Sequence, residues 1–106
     1  MRTRNKTYTN YGITKDDKNK ILRFCRNANK NKQDKMIVKS ALSEIASAYT
    51  ALMLYEALTE GLSYEKLDEK RGLVIGKEDF YGYRRKGMEA VKRYMQLTGR
   101  WETEEE

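Results

Sequence analysis

From Ile37 to Leu58 the apolar residues Ile37, Val38, Ala41, Leu42, Ile45, Ala48, Tyr49, Leu52 and Leu58 recur largely at steps of three and four. That spacing is the period of an α-helix with one buried face. Ala46, Ala51, Met53, Leu54, Tyr55 and Ala57 fall between them and add a second apolar face. A helix apolar nearly all round must be covered by several neighbours, or in part by another subunit. The stretch predicts one long helix over 34–60, capped by Asp34, as the central post of an all-α domain. Small residues at Ala41, Ser47, Ala48 and Ala51 would let other helices approach closely. A monomer core and a homodimer interface both satisfy this pattern.

The chain has no proline and seven glycines in 106 residues, so little interrupts helix. Thr14 with Asp17 forms a capping-box-like start to a first helix over 14–29. Ile21, Leu22, Phe24, Cys25 and Ala28 supply its apolar face, and Lys15, Lys18, Lys20, Arg23 and Arg26 cover the other. Asn27 to Gln33 reads as a polar connector. Two further helices are expected near 63–71 and 77–97. The expected fold is therefore a compact four-helix domain over 13–101, preceded by a flexible basic arm (1–12) and followed by an acidic tail (102–106). Gly99 ends the last helix, and Trp101 is expected to fold back as an apolar lid. In the arm, Arg2, Arg4 and Lys6 accompany Tyr8 and Tyr11. Such a segment either orders along a groove or phosphate backbone when bound, or is a frayed terminus.

The net charge of +6 is unevenly spread. Residues 1–39 carry +9, 40–70 carry −4, 71–100 carry +5 and 101–106 carry −4. Two basic regions flank an acidic middle, which suits an anionic partner on two surfaces. Lysine-rich surfaces that serve only hydration give the same sums.

The segment Gly61 to Leu97 has the parts of a helix-turn-helix. Ser63 can cap a short helix, with Leu62 stapled onto Leu67. Gly72 can leave that helix in a left-handed conformation. Leu73, Val74 and Ile75 form an apolar corner. Gly76, Glu78 and Asp79 open the second helix, where its dipole favours acids. On this helix Phe80, Tyr83, Gly87, Met88, Val91 and Met95 make a core-facing stripe, while Tyr81, Gly82 and Arg85 fall on the opposite face. Gly82 and Gly87 each cost about 1 kcal/mol inside a helix, so each calls for close packing on another helix or close approach to DNA. An ordinary helical hairpin with a solvated basic face has the same pattern.

These residues resemble region 4 of bacterial sigma factors, and equally the small phage transcriptional regulators of the ArpU and RinA kind. The likeness rests on Gly61-Leu62-Ser63-Tyr64-Glu65-Lys66-Leu67, on Gly72, and on Tyr83 through Val91. It implies a DNA-binding phage or prophage transcription regulator whose second motif helix enters the major groove, with duplex DNA as partner, or else a sigma-like module that binds RNA polymerase more than DNA. The residues expected to meet DNA are Lys77, Tyr81, Arg84, Arg85, Lys86, Lys92 and Arg93, joined by Arg2 and Arg4 from the arm. Arg84 is expected to reach sideways to a phosphate, Arg85 to a base edge, and Lys92 to a phosphate. The alternative is a small phage-encoded interaction protein that inhibits a host nucleic-acid enzyme, such as an anti-CRISPR.

Enzyme chemistry finds no footing in the pattern. Histidine is absent, which removes the commonest general base and metal ligand. Cys25, the single cysteine, is read as a small core residue, because nothing stands ready to activate it. Adjacent acids such as Glu78 with Asp79 do not converge on one site. There is no phosphate-cradling glycine loop and no zinc spacing, so neither a cofactor nor a metal is expected. One cysteine, no apolar run near membrane length and no signal-peptide pattern suit the cytoplasm of a bacterial host cell.

Overall fold

The computed structural model describes residues 7–101. Among them are five α-helices: α1 (Lys15–Asn27), α2 (Lys32–Ile45), α3 (Ala48–Glu60), α4 (Tyr64–Arg71) and α5 (Lys77–Leu97). The described residues hold no strand, and none of their helices is long and apolar enough to cross a membrane. The all-α class expected from the periodicity is what the chain adopts. Each helix begins where a local signal is present. The Thr14 side chain accepts from Asp17 N at 3.0 Å while Asp17 Oδ2 accepts from Thr14 N at 3.2 Å, a complete capping box. Ser63 accepts from Lys66 N, and Gly61 and Gly72 leave α3 and α4 with φ of 69° and 66°.

The long helix expected over 34–60 is two helices. Ala46 (φ −149°, ψ 163°) and Ser47 (φ −64°, ψ 165°) are extended, and Ser47 Oγ accepts from Thr50 N to start α3. The reason lies in the two apolar faces. A straight rod cannot bury both in a domain this small, whereas a break lets α2 turn its face to α5 and α3 bury itself between α1, α4 and α5. Leu52, taken as part of the first face, is 58% exposed once the chain breaks, and Tyr49 lies at the edge. The cap of α2 is Asn31, which accepts from Asp34 N at 3.0 Å. Asp34 instead receives Arg100 Nε at 2.8 Å.

Phe80, Ile21, Leu42, Leu54, Leu58, Leu67, Met88 and Val91 are fully buried at the centre. The glycine at 87 has the packing reason its position requires: a Cβ there would lie 2.7 Å from Leu42 Cδ2, so α2 and α5 touch nearly backbone to side chain. Cys25 is in this core, and burial pushes its thiol up to about 12, against the opposing pull of the Arg84 charge. That is the inert thiol expected.

One boundary differs from expectation. The described end of the arm belongs to the domain: Tyr8 and Tyr11 pack on the core, and the Tyr8 hydroxyl donates to Met88 Sδ at 3.6 Å. Arg2 and Arg4 lie outside the described residues, as does the acidic tail. Trp101 does fold back onto the core, with the ammonium groups of Lys20 and Lys92 at 4.4 and 5.3 Å from its ring centre.

Candidate nucleic-acid interface

The α4–α5 pair is tightly tied. The Tyr64 hydroxyl donates to Ile75 O at 2.7 Å, and Tyr64 N donates to the Tyr81 hydroxyl at 2.9 Å. Asp68 Oδ1 accepts from Leu73 N at 2.8 Å, closing the end of α4. Leu73 and Ile75 pack on the core, but Val74 is 83% exposed, so the corner plug consists of two residues and not three.

Helix α5 is not displayed as the motif would require. No residue from Asp79 to Met95 is exposed; all are buried or half-buried. Gly82 is buried, and Tyr81 packs against Phe80 and Tyr64 with ring centres 5.5 and 6.5 Å apart. The face expected opposite the core and toward DNA, Tyr81 with Gly82 and Arg85, is thus largely a packing face. The sequence pattern missed this because α5 touches α1, α2, α3 and α4, and one 3.6-residue stripe cannot serve four neighbours.

The basic residues of α5 divide into two groups. Lys77 pairs with Glu65 of α4, which raises the ammonium above its ordinary pKa. Lys92 Nζ donates to Gly12 O and to Asp17 Oδ2, both at 3.1 Å. Burial alone would raise the Asp17 carboxyl, but the backbone N–H of Thr14 and the Lys92 ammonium hold it below its ordinary value. Arg93 is bidentate on Glu89 at 3.2 Å and reaches Glu44 at 3.4 Å. These three side chains are committed within the molecule. Lys86 is half-buried and sits apart from the second group.

That second group is Arg84 and Arg85, one turn after Tyr81 on α5. They face Lys18, Leu22 and Arg26, one turn apart along α1, across a cleft of about 570 Å³. Ala57 and Leu58 of α3 and the Gly61–Ser63 link close its end, and Tyr8 borders it. Among the described residues, four cations line the cleft and no carboxylate does. Among the described residues no carboxylate forms an ion pair with Lys18, Arg26 or Arg84. The Lys18 ammonium lies 4.6 Å from the Tyr8 ring centre. Arg26 rests against Gly61: a Cβ there would come within 2.8 Å of Arg26 Nη1, at the carboxyl end of α3 where the dipole favours a cation. Lys18 and Arg26 were missing from the residues expected at the site. Their spacing with Leu22 (i, i+4, i+8) marks a stripe, but only the fold shows that it faces Arg84.

No group of His, Cys, Asp and Glu able to hold a metal is present among the described residues. No family model, curated protein or solved structure matches this chain.

Proposed function

We propose that this chain binds DNA through its phosphates at the α1–α5 cleft and acts as a small transcription regulator of the phage kind. The observation that carries the proposal is the cleft itself, lined among the described residues by four cations and no acid. Positive charge in a concave, partly apolar setting focuses field on an anionic backbone. The regulator part rests on the resemblance in Gly61 to Leu97. In this reading α5 holds phosphates with Arg84 and Arg85, and it does not lie along the major groove as a reading helix. The test is a mobility-shift titration on duplex DNA at several salt concentrations. Four phosphate contacts give a log–log slope of about −3.5. No shift at low salt would end the proposal.

The second reading, a small protein that inhibits a host nucleic-acid enzyme or engages RNA polymerase, is favoured by a separate feature. Val74 is 83% exposed, with its N donating to the Tyr49 hydroxyl at 3.1 Å, and Leu52, one turn after Tyr49 on α3, is 58% exposed. Exposed apolar side chains beside an aromatic suit a protein partner. Co-purification of a host protein that a Val74→Asp variant abolishes, together with no DNA shift, would select it.

A further inference from the structure

A site for phosphate alone needs cations and little else. This cleft also has an apolar end at Leu62, over the fully buried Leu58, with Leu22 on one wall and Tyr81 on the other. Arg84 and Arg85 follow Tyr81 by one turn of the same helix, while Lys18 and Arg26 flank Leu22 on α1, with Arg26 resting against Gly61. The arrangement complements a ligand that is flat and weakly polar in one part and anionic in another. The volume of about 570 Å³ falls inside the range of about 300–1,000 Å³ typical of small-ligand sites. A base inside a duplex is paired and stacked, so it reaches such a surface only when single-stranded or swung out of the helix. We propose that the cleft takes one unpaired nucleotide, its base against Leu22, Leu62 and Tyr81 and its phosphate on Arg84 and Arg85. This deepens the DNA-binding reading and rests on it, since the phosphate site is the same.

The experiment uses the full chain and three labelled probes in fluorescence anisotropy: a short oligothymidylate, an abasic strand of equal length and charge, and a matched duplex. The expected result is that the oligothymidylate binds about tenfold more tightly than the abasic strand, the size of one base stacked on an aromatic wall. Tyr81→Leu should erase that tenfold preference, whereas Tyr81→Phe should keep it. Circular dichroism checks that each variant folds; if Tyr81→Leu does not, Leu22→Asn is read in its place from the opposite wall. Competition by thymidine monophosphate separates the two sources of the nucleotide. Displacement means that the cleft accepts it free, and strand binding without displacement means that it is taken only within a chain. Equal affinity for the abasic and base-bearing strands, or tighter binding of the duplex than of either, would overturn the inference while leaving phosphate binding intact. Failure to bind any of the three probes would overturn both.

Discussion

Arg84 and Arg93 are on the same helix and carry the same guanidinium, yet they occupy opposite situations. Arg93 lies between Glu89 and Glu44, with its charge answered twice. Arg84 borders a cleft whose lining has no carboxylate. The same contrast separates Arg26 from Arg71, whose Nε donates to Glu56 Oε1 at 2.9 Å. What differs is the neighbouring helix: α1 presents Lys18 and Arg26 to α5 on one side, whereas α2 presents Glu44 on the other. Net charge therefore says little about a partner until the ion pairs are removed from the sum. Lys18, Arg26 and Arg84 are among the cations that remain after that subtraction, and all three line one cleft between α1 and α5.

The largest expected effect breaks this comparison on the cleft side. Arg84→Glu with Arg85→Glu should weaken DNA binding by about a hundredfold, or about 2.7 kcal/mol, with the thermal midpoint nearly unchanged. Unaltered affinity in the folded double variant would remove the cleft as the site. Next in size is Lys92→Met. The side chain ties Gly12 and Asp17 to α5 and flanks Trp101, so its loss should cost about 2 kcal/mol of stability by urea titration. DNA affinity, measured on the folded variant, should stay at the wild-type value. A drop in affinity without a drop in stability would return Lys92 to the interface expected from the sequence.

Glu56 sharpens the comparison through pH. Hydrogen bonds from Arg71 and Lys70 hold this buried carboxyl below its ordinary value of 4.5. A carboxyl lowered in the fold contributes stability above its unfolded value and loses it as the pH falls through the lower folded one. Glu56→Gln should thus cost about 1–2 kcal/mol at neutral pH and flatten the acid limb of stability below pH 4.5. An acid limb identical to wild type would show that other carboxylates govern it. The smallest effect belongs to Arg93→Ala. Its ion pairs are 41% exposed on the arginine side, so only about 0.3–0.5 kcal/mol should be lost, with no change in DNA affinity.

Much of the fold is legible without coordinates. The capping box at Thr14 and the caps at Ser63 and Gly72 follow from short-range chemistry, because each depends on residues within a few turns. The helical class follows from the apolar period for the same reason. The break at Ala46 and Ser47 is a different matter. Its signal, a serine three residues before Thr50, is present in the chain, but the apolar run carries straight through it. Only the need to bury two faces against different helices decides for the break. The site divides in the same way. Tyr81, Arg84 and Arg85 are recognisable as a basic stretch of one helix, while Lys18 and Arg26 stand more than fifty residues earlier. Whether a cation is answered by a carboxylate or left facing another cation is settled by which helices pack together. Sequence periodicity reports the faces of each helix; only tertiary packing assigns those faces to one another.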